Sequence, residues 1–276
     1  MNLNLLCPAS LKSAHRHSSL DLILPLTGLD LAKIRLILAS LPKRPPFILQ
    51  SPPYSPYHAA VLIGLCNRET EGPAIILTVR SPTLRAHPGE ICFPGGRHDQ
   101  KTDLSLLSTA LRETHEEVGL KPDQIEYLGS LQPVYNSSRS TLVWPFVAFI
   151  YPRQTTSLSP CLHPVIPRLM SKLDTTPLPS FRLEELCGKY HKEEVVQILQ
   201  VGFSTLLRPD KQIPAFFRGN SQKPYLEWDM ADGTPGLNES GDTEGGMRSE
   251  GKTRSLRLWG LSGWFVNSFL WILEAL

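Results

Sequence analysis

Few features of this sequence are extreme, and what it lacks narrows the reading first. No apolar run reaches the roughly 18 to 20 residues that a membrane-spanning helix needs. The nearest candidate, residues 259–273, is uncharged but broken by Ser262, Gly263, Asn267 and Ser268, and it suits a helix packed on a sheet. No membrane partner is expected. An excess of one charge is also missing. Lys and Arg number 28 against 26 Asp and Glu, a formal net charge of +2, which is too small a field to recruit nucleic acid. No basic run exceeds a cluster such as Lys43-Arg44, so no nucleic-acid partner is expected. The five cysteines, Cys7, Cys66, Cys92, Cys161 and Cys187, are odd in number and widely spaced, with no CxxC pair. That pattern fits a reducing, intracellular compartment. The first twenty residues hold Lys12, Arg16 and several Ser and His with no acid before Asp21, which is faintly transit-like. Glu274-Ala275-Leu276 is not a peroxisomal Ser-Lys-Leu address, and mitochondrial, peroxisomal and cytoplasmic placement are not separated.

What is present suits an α/β globule. With 276 residues and 41% hydrophobic content, the chain can form one large domain or two small ones. Residues 29–38 read as a short helix ended by Pro42, followed by a proline-rich connector, so 1–56 forms an N-terminal extension and 57–276 the main domain. Residues 59–66 and 74–80 read as two strands around a polar turn. Further strands are expected at 125–133, 142–151 and 195–203, with a late hairpin of 214–217 and 225–228 ahead of the terminal helix. Strands flanking a helix, with a last helix to close, make a mixed-sheet α/β/α sandwich plausible. Two polar stretches, near 155–190 and 230–253, are expected to be flexible insertions. The second has too little apolar surface to offset the entropy of ordering it.

Residues 80–119 carry the chemistry. On a helix, Glu113, Glu116 and Glu117 fall within roughly 100° of one another, while Leu104, Leu107, Leu111 and Val118 cluster on the far side. Like charges at this spacing repel by a few tenths of a kcal/mol per pair, and a bound cation would offset that. A solvated acidic face is the alternative. Upstream, Phe93-Pro94-Gly95-Gly96 lies where the backbone must turn sharply and expose N–H groups, so Gly95 and Gly96 can approach an anion closely. Hard oxygen ligands suit Mg²⁺ or Mn²⁺. Cys92, just before this turn, reads as a small buried hydrophobe rather than a nucleophile.

Gly96 followed by Arg112-Glu113-Thr114-His115-Glu116-Glu117-Val118-Gly119-Leu120 resembles the Nudix box, with Thr114 in place of an apolar residue. Leu77-Thr78, Arg80-Ser81, Arg85, Gly89 and Phe93-Pro94-Gly95-Gly96 resemble the additional signature of its coenzyme A pyrophosphatase branch. The general box has a Glu where this chain has Leu104. Asp103 stands one residue earlier and is either an acid of the box or the helix N-cap, and the segment between Asp99 and Asp103 is one residue longer than expected. The resemblance implies a Nudix-type α/β/α sandwich and Mg²⁺- or Mn²⁺-dependent cleavage of the diphosphate of coenzyme A or an acyl-CoA, giving 3′,5′-ADP and 4′-phosphopantetheine products. ADP-ribose, NADH or capped RNA are the alternative substrates, and an inactive binding module is the alternative class. By the same resemblance Glu113 and Glu117 are metal ligands, and Glu116 is a third ligand or a base behind them. Arg112 orients a box carboxylate, Arg80, Arg85 and His87 meet substrate phosphates, and Glu194, just before a strand, supplies a late carboxylate.

Overall fold

A computed structural model of the chain describes residues 22–41, 57–138, 140–153, 175–186, 188–231, 235–238, 243–245 and 256–274. The proline-rich connector, the candidate transit-like segment, Cys7, Cys161 and Cys187 lie outside these residues.

The centre is formed by β1 (Tyr57–Asn67) and β2 (Pro73–Arg80), an antiparallel hairpin across the expected polar turn. β1 also runs parallel to β7 (Thr141–Ile150), with Tyr57 opposite Thr141 and Leu65 opposite Phe149. Beyond β7 lies β5 (Ile125–Ser130), and beyond β2 lie β8 (Val195–Gly202), β11 (Pro235–Asn238) and β12 (Thr243–Gly245). The sheet order is β12-β11-β8-β2-β1-β7-β5. The two-residue strands β3 (Ile91–Cys92) and β6 (Val134–Tyr135) join β2 and β7, and β4 (Gly95–Arg97) joins β1.

Both faces of this sheet are covered, which is why its central strands read as nearly continuous apolar runs. Along β1, Ala60, Leu62 and Cys66 turn one way and Ile63 and Leu65 the other. On the first side sits α2 (Leu106–Val118), contributing Ala110, Leu111 and Val118. On the second sit α1 (Gly28–Ser40), through Leu31, Ile34 and Leu38, and α4 (Gly260–Glu274), through Phe265, Phe269 and Leu273. At about 1.5 to 3 kcal/mol for each large side chain fully buried, these two layers dominate the stability. The fold is the expected α/β/α sandwich on a mixed sheet.

α1 begins at a capping box. The Thr27 side chain accepts the Asp30 N–H, and the Asp30 carboxylate accepts the Thr27 N–H at 2.9 Å. Arg35 fastens the helix to β5 through Glu126 and the Tyr127 carbonyl. The helix of the N-terminal segment is thus a layer of the sandwich.

Of the two stretches expected to be flexible insertions, residues 155–174, 187, 232–234, 239–242 and 246–253 lie outside the described residues. The described residues 175–186 and 188–190 are tied to β1 where Asn67 donates to the Leu178 carbonyl, and Phe181, Leu183, Leu186 and Tyr190 are buried beneath the α2 side. Sparse but well-spaced apolar residues suffice to anchor them. Within 230–253, β11 pairs with β8 and β12 pairs with β11. The open edge of β8 satisfies the backbone there, a source of order that composition does not register.

The late hairpin forms from β9 (Gln212–Phe216) and β10 (Pro224–Asp229), with β13 (Arg257–Leu258) as a third strand. Phe217 stacks on Trp264 of α4 with ring centroids 4.4 Å apart, and Tyr225 of β10 lies 6.3 Å from the same ring, so the hairpin and closing helix meet through an aromatic cluster. Among the described residues no helix is long and apolar enough to cross a membrane.

Candidate active site

The site is assembled where α2, the Gly95-Gly96 turn and the end of β2 meet. Ser105, not Asp103, caps α2: its hydroxyl accepts the Ser108 N–H at 3.1 Å, and the Ser108 hydroxyl accepts the Ser105 N–H at 2.8 Å. The helix starts only at Leu106, so the helical spacing that grouped Leu104 with the packed face does not extend that far. Leu104 is 99% exposed.

Asp103 instead holds the box arginine. Its two carboxylate oxygens accept Arg112 Nε at 2.8 Å and Nη2 at 2.9 Å, and it also accepts the Thr109 hydroxyl and the Asp99 N–H. The Asp103 side chain is 2% exposed, and the Arg112 hydrogen bonds hold its carboxyl well below the usual carboxylate range. His98 Nδ1, 2.8 Å from the Thr109 hydroxyl, closes this network on the turn side. A planar fork against two oxygens fixes Arg112 in orientation as well as in charge. The Arg112 Nη1 atom then reaches Glu113 at 3.0 Å and Glu116 at 2.9 Å.

The three acids of the helical turn divide. Glu113 and Glu117 are one turn apart and both face the glycine turn. Glu116 stands one turn from Arg112, pairs with it, and keeps its side chain 53% exposed. Glu117 is 3% exposed. The Gly95 N–H donates to Glu117 Oε2 at 3.0 Å, and Arg80 Nη1 lies 4.0 Å from its other oxygen. Burial pushes the Glu117 carboxyl up to about 8; Gly95 and Arg80 oppose the shift, and the charges of Glu113 and Glu194 add to it. Burial likewise raises Glu113, opposed by Arg112 and reinforced by Glu116 and Glu194.

Two glycines are required at the turn. Gly95 sits at φ +154°, where a Cβ would come 2.3 Å from the Ala60 carbonyl oxygen. At Gly96 a Cβ would lie 2.4 Å from the Glu113 carboxyl carbon. The backbone thus cradles the carboxylates at a distance no side chain permits.

Glu194 is drawn in by main chain. The His191 N–H donates to the Glu117 carbonyl at 3.2 Å, the turn runs on into β8, and the Glu194 carbonyl accepts the Ser81 N–H at 2.8 Å. This hitch joins the end of α2 to the loop after β2, and no sequence signal announces it because its partners lie far apart in the chain. The loop is closed at its base by Gly89 N–H to the Arg80 carbonyl and Arg80 N–H to the Glu90 carbonyl. His87 is exposed, at φ 56°, with Nδ1 3.0 Å from Glu90. Arg85 is exposed.

The Cys92 thiol is pushed up to about 11, first by burial and then by Glu117, and it lies 3.3 Å from the Thr78 hydroxyl. A thiol so held is a poor nucleophile.

Among the described residues no group of three or more His, Cys, Asp or Glu side chains is arranged to hold a metal ion by itself. Two carboxylates against an open glycine turn are nevertheless chemically suited to Mg²⁺ or Mn²⁺, because such ions keep waters and complete their shell with substrate phosphates.

Comparison with known proteins bears on this arrangement. A NUDIX domain profile matches residues 56–164. The uncharacterized Nudix hydrolase NudL of Enterobacter sp. (strain 638) is 48% identical over 174 residues, 62% of this chain and 71% of that protein. The NudL of Klebsiella aerogenes is 41% identical over 100 residues, covering 36% of this chain and 80% of the relative. A probable Nudix hydrolase of Schizosaccharomyces pombe is 42% identical over 91 residues, and the match spans only 31% of its length. Among solved structures, the NUDIX domain of Shewanella oneidensis NrtR, complexed with ADP ribose, matches 58% of this chain and 84% of its own at 16% identity and a TM-score of 0.32. The profile covers the stretch that carries Glu113, Glu117 and the glycine turn, and the likeness to the Enterobacter protein runs through most of that relative, so this chain belongs to the Nudix hydrolase family.

Proposed function

We propose that the chain hydrolyses the diphosphate bond of coenzyme A or an acyl-CoA, with Mg²⁺ or Mn²⁺ held by Glu113 and Glu117, to give 3′,5′-ADP and a 4′-phosphopantetheine product. The observation that carries this reading is the meeting of two motifs. Arg80, from the stretch that resembles the coenzyme A signature, stands 4.0 Å from Glu117 of the acidic helix. Glu113 and Glu117 would hold the divalent cation, which when bound would supply charge neutralisation to the phosphates and activation of water.

The chain's own residues supply the rest. Glu117, desolvated and pushed up to about 8, would take up a cation in exchange for a proton. Arg112, fixed by Asp103, holds Glu113 in place. Arg80 offers a guanidinium 4.0 Å from a Glu117 oxygen, and the charge of that group suits a substrate phosphate. Glu194 is the candidate to take the proton of the attacking water, since its turn is hitched to both Glu117 and Ser81. Water oxygen bonds to phosphorus, the phosphoanhydride bond breaks, and two phosphomonoesters leave.

Purified protein incubated with coenzyme A, NADH, ADP-ribose and dNTPs in Mg²⁺ tests the reading by product analysis. The expected products from coenzyme A are 3′,5′-ADP and 4′-phosphopantetheine. Turnover of another substrate with none of coenzyme A would overturn it.

A further inference from the structure

We infer that the cavity between the β9-β10 hairpin, α4 and the end of β5 receives the acyl group of the substrate, so that the enzyme prefers acyl-CoA thioesters to free coenzyme A. This rests on the proposed coenzyme A reading and deepens it by naming the part of the substrate that selects among coenzyme A compounds.

The cavity has a volume of about 580 Å³, and its walls include Leu41, Leu131, Trp228, Trp264 and Trp271. That size lies within the roughly 300 to 1,000 Å³ of pockets that enclose a small ligand. Polar groups on the walls are already committed to the protein's own main chain. Trp228 Nε1 and Gln212 Nε2 both donate to the Leu206 carbonyl at 2.8 Å, and the Asn267 amide accepts the Leu226 N–H at 3.0 Å and donates to the Leu226 carbonyl at 2.7 Å. What these residues leave for an occupant is ring and aliphatic carbon. Among the described residues of the lining, Lys223 and Glu274 alone are charged, and they are opposite in sign. Such a wall suits an alkyl chain and not a phosphate, whose charge it would leave without partners. Trp271 is 38% exposed, apolar surface that a bound chain would cover.

The cavity's place on the sheet decides which group of the substrate reaches it. Gly95, at the turn beside the carboxylates, pairs with Val61 of β1; Val61 pairs with Pro145 of β7; and the Leu131 N–H donates to the Pro145 carbonyl at 3.0 Å. Gly95 and Leu131 are thus the two ends of one row across the sheet, three strand spacings or roughly 14 Å apart. In an acyl-CoA the thioester sulfur stands about a dozen bonds from the phosphate ester oxygen, which spans roughly 14 Å at the reach of an extended backbone. A diphosphate held at the Gly95 turn therefore delivers its thioester to the cavity. The ground between is apolar and not sealed: Ala59, Val61 and Val134, which pack on the same core as Leu131, stay partly exposed.

The test measures kcat/KM for coenzyme A and for its acetyl, butyryl, hexanoyl and octanoyl thioesters in wild type, Ser268→Phe and Trp271→Ala. Wild type is expected to gain up to about fourfold per added methylene, the value of burying one CH₂, until the cavity is full. Ser268→Phe enlarges a lining side chain and should bring the plateau to a shorter chain, whereas Trp271→Ala removes a wall and should lower the gain per methylene. Both should keep the wild-type rate on free coenzyme A, since neither residue belongs to the carboxylate site. A variant that misfolds loses that rate as well, and the wild-type series then decides together with calorimetry of octanoyl-CoA against coenzyme A in EDTA, where the same preference is expected without turnover. A wild type that treats all five compounds alike, or a chain-length dependence that both folded variants leave unchanged, overturns the assignment while leaving coenzyme A as substrate. Hydrolysis of ADP-ribose with none of coenzyme A or its thioesters overturns the coenzyme A reading itself, and this assignment with it.

Discussion

Replacing Glu117 by Gln probes the site through protons rather than turnover. In the metal-free protein the Glu117 carboxyl titrates at about 8, against 4.5 for an unperturbed glutamate. Between these values the folded state binds a proton that the unfolded chain has released, so unfolding free energy falls as pH rises from about 4.5 to about 8. The stabilising protonated form is fully present below the unfolded pKa and lost above the folded one. Three and a half pH units correspond to a ceiling of about 5 kcal/mol, and relaxation around the 3%-exposed side chain should leave a few kcal/mol. Urea unfolding in EDTA at pH 5, 6, 7 and 8 measures this. Wild type should lose stability across the series, and Glu117→Gln should flatten the slope. Mg²⁺ or Mn²⁺ should restore the wild type at pH 8, with affinity rising up to about tenfold per pH unit as the ion displaces the proton. Asp103, whose carboxyl lies below the usual range, contributes its own dependence only at the acid end, outside this window. Parallel pH curves for wild type and Glu117→Gln would refute the buried-acid argument.

Other substitutions report on the positioning of the site. Gly96→Ala places a methyl 2.4 Å from the Glu113 carboxyl carbon; rates should fall about 100-fold with an unchanged circular dichroism spectrum, since small misplacements of reacting groups cost that much. Asp103→Asn frees Arg112 from a nearly buried pair and should cost roughly 3 kcal/mol in urea unfolding together with activity, whereas Leu104→Ser, at a 99%-exposed position, should stay within about 0.5 kcal/mol. Gly202→Ala would set a Cβ 2.1 Å from the buried Arg68 Nη2, and a loss of about 1 to 3 kcal/mol is expected from the overpacking. Cys92→Ala should keep full hydrolysis, and the Cys92 thiol, at about 11, should alkylate slowly with iodoacetamide at neutral pH.

The sequence by itself determined the sandwich's strands and helices, because runs buried on both faces and a helix with one apolar side leave a periodic record. It also set acids one helical turn apart and a glycine pair upstream, since each feature is local in the chain, while their meeting across 22 residues is tertiary. Only the tertiary structure decided how the acids divide. Glu116 goes to Arg112 and Glu117 is buried against the Gly95 N–H, distinctions of tens of degrees and a few ångströms that helical spacing does not resolve. The same holds for Asp103, where an acid of the box and the helix N-cap were both open until the start of the helix at Leu106 left the capping to Ser105 and Asp103 to Arg112. Order at 175–190 and at β11 and β12 came from partners distant in sequence, Asn67 and the edge of β8, and long-range pairing of backbone groups leaves no trace in local composition.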